Sequence, residues 1–408
     1  MRIADPRKHV LDIWLDGRET RRMTSVETPA ERTEMLDQDE RVRRLNTFAS
    51  LLRRRHIDAA IIDSADNMRY LFGYSATAVM YQCCIVTADG AVRAIVREID
   101  EPVFSATSWV QDRIAYTDWD DPFDVLIAEI VKMGLAEATI AQELDSHYLC
   151  VRDHQRIISS LPQARFADAS GLVLEMRAQK SPSEIEEHRR SAAIADLALA
   201  ATVSALAEGV SERELVAAGY EAALRAGADN NAPRIVLLGM GSKSAHFHGG
   251  VGDNRLEVGQ PVHIELLPQS NGYSSRLMRP AILGAIPAGL QSDFDQLARI
   301  QDLQFQSIRP GVAAKDIDRV GRDELARAGV RSSFPHNTGY GLGIITGPKL
   351  ADFARLFTPA AEWKLLPNMV FHMYLSASGI SVSETVRVTE DGFESLTRTP
   401  RSIQLRHV

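Results

Sequence analysis

The chain has 408 residues, 45 % of them hydrophobic, and sets 46 Lys and Arg against 54 Asp and Glu for a formal net charge of -8. That balance argues against a nucleic-acid partner, because phosphates select basic surfaces. A mean hydropathy of -0.14 and the absence of an uninterrupted apolar run of membrane length argue against a spanning protein. The length predicts about two or three domains. Cys83, Cys84 and Cys150 are too few for a disulfide scaffold and lack metal-ligand spacing. No apolar h-region follows Met1-Arg2-Ile3-Ala4, so the expectation is a cytoplasmic protein.

Residues 1–38 are charged, contain Pro6 and Pro29, and read as an N-terminal extension or arm. Val42, Leu45, Phe48, Leu51 and Leu52 then recur at helical spacing. Strands are expected at 56–63, 78–86 and 91–96, the last two joined by an Asp89-Gly90 turn, and again at 114–116 and 138–141, with a helix over 123–135. Helices alternating with strands make 39–172 an α/β domain. Ser181-Pro182-Ser183-Glu184 marks a helix start, with serine at the N-cap and proline at N1, and Ser211-Glu212-Arg213-Glu214 has the pattern of a capping box. Strands over 235–238, 262–267 and 273–279 follow, then helices over 294–308 and 314–328, then strands over 369–374 and 381–388. These place a second α/β domain over 173–408.

The stretch Pro261-Val262-His263-Ile264-Glu265-Leu266-Leu267-Pro268 puts a carboxylate between apolar residues of a strand, where it needs a partner or a raised pKa. Asn271-Gly272 is a hairpin signal, so Tyr273, Arg276 and Arg279 are expected to return beside it. Glu384 has a similar strand-interior setting. If Glu265 and Glu384 converge, each raises the other's pKa. Alternatively each is bridged by an arginine, with Arg276, Arg279 and Arg387 as the rivals. His246 and His248 lie in a loop, where imidazoles serve as general acids or bases or stand as surface residues. His336 and His372 read either as ligand contacts or as satisfied core histidines. Tyr340 lies between Gly339 and Gly341, which allow close backbone approach to a ligand. Gly339-Tyr340-Gly341-Leu342-Gly343 lacks the strand, spacing and helix of a dinucleotide fingerprint.

From about residue 42 to 403 the chain resembles the superfamily of creatinase, aminopeptidase P and methionine aminopeptidase, peptidases of the M24 type. The resemblance is carried by Met176-Arg177-Ala178-Gln179-Lys180-Ser181-Pro182, Gly272-Tyr273-Ser274-Ser275, Gly339-Tyr340-Gly341-Leu342-Gly343, Leu366-Pro367-Asn368-Met369-Val370 and Ser383-Glu384-Thr385. It implies a pita-bread C-terminal domain preceded by a smaller creatinase-type N-terminal α/β domain. Metallopeptidases of this superfamily bind two metals through two aspartates, a histidine and two glutamates. By resemblance those positions hold Glu265, Arg276, Tyr340, Tyr374 and Glu384 here, so no metal and no other cofactor is expected. The pattern is similar to the metal-independent branch: Ala115-Tyr116-Thr117-Asp118-Trp119 and Ala245-His246 resemble creatinase. Ile264-Glu265-Leu266-Leu267 and Met369-Val370-Phe371-His372-Met373 resemble ectoine hydrolase.

The resemblance implies a hydrolase of non-peptide C–N bonds in a small zwitterionic nitrogen compound, a cyclic amidine or an amidine. Glu265, His246 and Glu384 are the expected catalytic residues. Arg276, His336, Tyr340, His372, Tyr374, His248 and Tyr81 are the expected substrate contacts, Tyr81 reaching a neighbouring subunit in a homodimer. The alternatives are a metal-dependent Xaa-Pro peptidase-like hydrolase, an enzyme resembling dimethylsulfoniopropionate lyase with a rebuilt metal site, and a non-catalytic binding protein on the same fold.

Overall fold

A computed structural model describes residues 37–76, 79–230, 232, 234–245, 249–347, 349, 351–352 and 355–408. Residues 1–36 of the expected arm lie outside the described residues, as do His246 and His248. Among the described residues no helix is long and apolar enough to cross a membrane.

The first half of the described chain runs α1 (Gln38–Arg54), β1 (Ala59–Ile62), α2 (Ala65–Phe72), β2 (Cys83–Thr87), β3 (Val92–Arg97), α3 (Glu101–Thr107) and β4 (Arg113–Tyr116). It continues with α4 (Pro122–Lys132), β5 (Thr139–Gln142), α5 (Val151–Ser160), β6 (Arg165–Asp168) and α6 (Leu172–Arg177). Its strands form one sheet in the order β4-β3-β2-β1-β5-β6. β2 is antiparallel to both neighbours and every other pairing is parallel. Every residue of β1 is buried, as expected of a sheet covered on both faces. Phe48, Leu52, Met68 and Phe72 pack on one face, and Phe123, Leu126, Ile130 and Ile157 on the other. The expected strand over 78–86 begins only at Cys83, and the Tyr81 and Gln82 side chains ahead of it bond Asp63 and Asp100. No element was expected over α5, which buries only Asp153 and Ile157.

The second half runs α7 (Pro182–Ser204), α8 (Glu212–Arg225), β7 (Val236–Met240), β8 (Pro261–Leu266), β9 (Gln269–Ser270), β10 (Tyr273–Ser274) and β11 (Leu277–Leu283). Then come α9 (Leu290–Gln306), α10 (Ala314–Arg327), β12 (Gly339–Gly341), β13 (Val370–Ala377), β14 (Ile380–Val388), β15 (Phe393–Ser395) and β16 (Gln404–Arg406). The capping box expected at Ser211 forms with Glu214, and the helix start expected at Ser181 is closed by a second one with Glu184. Each satisfies backbone donors at a helix start, worth ~1 kcal/mol.

Two four-stranded sheets, β16-β11-β8-β7 and β12-β13-β14-β15, form the body of this half. Leu199 and Leu215 of the first helix pair cover Val236, Val262 and Ile264 of the first sheet. Phe305, Ile317 and Leu297 of the second helix pair cover Phe371, Met373, Leu375 and Val386 of the second. Successive residues of a strand face opposite ways, so His372, Tyr374, Ser381, Ser383 and Thr385 occupy the face of the second sheet turned away from its helices. That polar face meets the first sheet, where Ser383 Oγ accepts the Met278 N–H at 2.7 Å.

Candidate active site

The hairpin expected at Asn271-Gly272 forms, with both residues at positive φ, 47° and 81°, as a two-residue hairpin turn requires. Pairing of Ser270 with Tyr273 and of Leu266 with Leu277 belongs to a single register. The strand expected over 273–279 is broken at Ser275 and Arg276. Opposite the break stands Pro268, which has no N–H to give the ladder. In that register Met278 opposes Glu265. Arg276, two residues before Met278, therefore lies diagonally across from Glu265 on the same face, within reach of a long side chain. Arg276 Nη1 donates to Glu265 Oε1 at 2.7 Å, the two side chains being 6 % and 0 % exposed.

Three aromatic residues close around this ion pair. β12 pairs with β13 so that Tyr340 opposes His372, and Tyr374 follows on the same face. The His372 ring stacks on Tyr374 at 5.3 Å and stands edge-on to Tyr340 at 5.1 Å. Tyr340 and Tyr374 are 6.1 Å apart. The Arg276 guanidinium lies over the Tyr340 ring at 5.4 Å, a favourable place for a cation. The Tyr340 hydroxyl is 2.9 Å from His372 Nδ1, and His372 Nε2 has no partner among the described residues. Burial, then Arg276, pushes His372 well below the usual imidazole range, so its ring is neutral. Burial, then the Glu265 charge, pushes Tyr374 up to about 12. Burial raises Tyr340 as well, against the opposing pull of Arg276. Both phenols therefore keep their protons at neutral pH.

The structure does not bring Glu384 to this cluster. Across β13 and β14 Tyr374 opposes Ser383, and Glu384 opposes Met373 on the helix-covered face. A one-residue offset exchanges the faces of a strand, and it moves Ser383 into the place expected for the second glutamate. Glu384 is bonded instead by Arg279 and Thr397. Burial raises its pKa while Arg279 and Thr397 oppose that shift. The arginine-bridge alternative thus describes both acids, Arg276 on Glu265 and Arg279 on Glu384. Arg387 bonds Asn368 and Glu394. Ser383 could have been found by counting back from the turn at Ser378 and Gly379, both at positive φ, 52° and 77°.

His336 is exposed at the edge of the site, its ring against Phe334, which in turn touches Tyr374. Tyr81 lies in the first half of the chain, where its hydroxyl donates to Asp63 Oδ2 at 2.8 Å. The structure therefore assembles Glu265, Arg276, Tyr340, His372 and Tyr374, adds Ser383, sets His336 at the rim, and leaves Glu384 and Tyr81 elsewhere within the chain.

Comparison with known proteins fits this architecture. The family profile "Metallopeptidase family M24" matches residues 186–390, half of the chain, and "Creatinase/Prolidase N-terminal domain" matches 44–179. The chain belongs to metallopeptidase family M24. Its architecture is the pita-bread C-terminal domain with the smaller creatinase-type N-terminal domain. An uncharacterized peptidase of Staphylococcus aureus (strain MW2) is 26 % identical over 348 residues, 85 % of this chain and 96 % of that protein. The solved prolidase of Thermococcus sibiricus has a TM-score of 0.80 at 20 % identity, covering 91 % of this chain and all of that one. The dipeptidase PepE of Mycobacterium ulcerans has a TM-score of 0.76 at 23 % identity, with 91 % and 100 % covered.

The family's name implies a metal centre, and the donor set described here does not fit one. The cluster offers one carboxylate, already held by a guanidinium, beside two protonated phenols and one buried imidazole. A divalent ion wants several anionic or imidazole ligands and is repelled by an arginine among them. Among the described residues no group of three or more His, Cys, Asp and Glu side chains is placed to hold a metal ion.

Proposed function

We propose that this M24 protein hydrolyses an amide- or amidine-type C–N bond in a small zwitterionic molecule, with the Glu265–Arg276 pair and its three aromatic neighbours as the reactive centre. The observation that carries the reading is the closed, buried ion pair itself, 2.7 Å between partners on the polar face. The pair is neutral as a whole, and opening it toward a ligand of single charge strands one buried charge, at a cost of several kcal/mol. A zwitterion replaces both partners at once: its cationic nitrogen meets Glu265 and its carboxylate meets Arg276. The aromatic rings suit the cationic part.

In the reaction Glu265 acts as base toward water or as nucleophile toward the substrate carbon. Tyr340 and Tyr374 donate hydrogen bonds to the charge that develops on the attacked group, which their raised pKa values allow. With its proton on Nδ1, neutral His372 donates to the Tyr340 oxygen and leaves the phenol proton for the substrate. His246, outside the described residues, is the proposed proton carrier to the leaving nitrogen. The ectoine-hydrolase-like and creatinase-like substrates satisfy these demands. So does an Xaa-Pro dipeptide, also a zwitterion, and the relatives named as peptidases return peptide bonds to the candidates. Those names also favour a second reading, a metal-dependent peptidase.

The test is turnover of a panel of cyclic amidines, creatine and Xaa-Pro dipeptides by the chelated protein. The expected result is hydrolysis of one zwitterion after exhaustive chelation, with Glu265→Gln lowering kcat by about 10²–10⁴-fold while the circular dichroism stays native. Activity that disappears on chelation and returns with a divalent metal overturns the metal-free centre in favour of the second reading. Wild-type turnover by Glu265→Gln removes that residue from the chemistry.

A further inference from the structure

The Arg276 side chain is the cation of the proposed centre, yet its backbone sits in the two-residue break between β10 and β11, where the hairpin ladder does not hold it. Buried backbone groups need partners, and both come here from one hydroxyl. Thr385 Oγ1 accepts the Arg276 N–H at 2.8 Å and donates its own proton to the Arg276 carbonyl at 2.9 Å. Thr385 is fully buried and its own backbone is anchored, its N–H on Thr397 Oγ1 at 3.2 Å and its carbonyl on the Leu396 N–H at 2.8 Å. On the opposite face of β14, Arg279 bonds Glu384 and donates to the Met278 and Ser383 carbonyls at 2.9 and 2.7 Å. The triplet Ser383-Glu384-Thr385 thus grips the start of β11 from both sides, and its third member grips Arg276 itself.

We propose that Thr385 is the positioning residue for Arg276: its single hydroxyl, bonded to both backbone groups, sets where the guanidinium meets Glu265 and the substrate's anionic group. The catalytic half of this statement rests on the function proposed above, and the clamp itself does not. Thr385→Val keeps the shape of the side chain and suits a strand, but removes both bonds. Thr385→Ser keeps them.

Site-resolved amide exchange and steady-state kinetics on the wild type and both variants form the test. The expected result is Arg276 amide exchange at least tenfold faster in Thr385→Val. KM for the panel substrate rises at least tenfold with a smaller change in kcat, and Thr385→Ser restores both. Wild-type exchange at Arg276 in the valine protein overturns the clamp, as does a serine protein as impaired as the valine one. Faster exchange with an unchanged KM overturns the positioning role. If the valine protein does not fold, Thr385→Ala, which also lacks the hydroxyl, takes its place. If the wild type turns over no panel member, the proposed function fails, while the exchange rates still decide whether Thr385 holds Arg276.

Discussion

The two halves of the chain bury carboxylates in opposite ways. In the first half Asp63 and Glu143 directly follow β1 and β5, neighbouring parallel strands. Glu143 Oε2 accepts the Asp63 and Ser64 N–H groups at 2.8 and 2.9 Å, and its Oε1 accepts the Asn67 amide. Neither acid has an ion pair among the described residues, and burial pushes both upward, Glu143 further still through the Asp63 charge. Asp63 accepts the Tyr81 hydroxyl in its turn, and the charge of either acid raises the other, so the pair as a whole holds a proton into the neutral range. In the second half Glu265 is equally buried and is neutralised by Arg276. A proton makes the first site sensitive to pH. A guanidinium makes the second one open to exchange with a ligand that carries both charges.

The contrast breaks if Glu265 can take up a proton as cheaply as the Asp63–Glu143 pair does. Arg276→Met leaves Glu265 buried without its cation and is expected to cost about 3–5 kcal/mol in urea unfolding at pH 7. Glu265→Gln combined with Arg276→Met removes both charges and should recover most of that loss. If the single variant loses less than about 1 kcal/mol, protonation has replaced the guanidinium and the two sites are alike.

What the sequence made legible follows the same division. Asn271-Gly272 fixes the hairpin register, and the register alone puts Arg276 on the face of Glu265, so that pairing could be read before any coordinates. Capping serines mark the starts of α7 and α8 because they act locally. Glu384 was misplaced because adjacent residues of a strand look equally buried in a sequence, and only the turn at Ser378-Gly379 tells which one faces Tyr374. The Asp63–Glu143 pair left no local signal. Its members are 80 residues apart, and parallel pairing of β1 with β5 brings them together.

A smaller effect sharpens the comparison through pH. Raised acids bind protons more tightly in the folded chain, so their contribution is fully present below the ordinary carboxylate range, about pH 4, and is lost as pH rises toward and past neutrality. Asp63→Asn imitates the protonated state. It should stabilise the protein by roughly 1–3 kcal/mol at pH 8, with little effect near pH 4, and so flatten the pH dependence of unfolding. Calorimetric scans at both pH values decide it. A wild-type slope in the asparagine variant means the proton is not held at this pair.

The finest distinction concerns Tyr81, whose hydroxyl donates to Asp63 Oδ2. A donor to a carboxylate stabilises the charged form and resists the upward push of burial. Tyr81→Phe removes that donor, so Asp63 should titrate still higher and the folded chain should lose roughly 0.5–1.5 kcal/mol. The loss must grow with pH, because the hydrogen bond is worth most to the ionised carboxylate that predominates at the alkaline end. Unfolding measured at pH 5 and pH 8 reads the difference directly. An equal loss at both values means the hydroxyl bonds a carboxyl that never ionises in the folded chain, and the proton then stays on Asp63 throughout, with no pH response left to set against the pair in the second half.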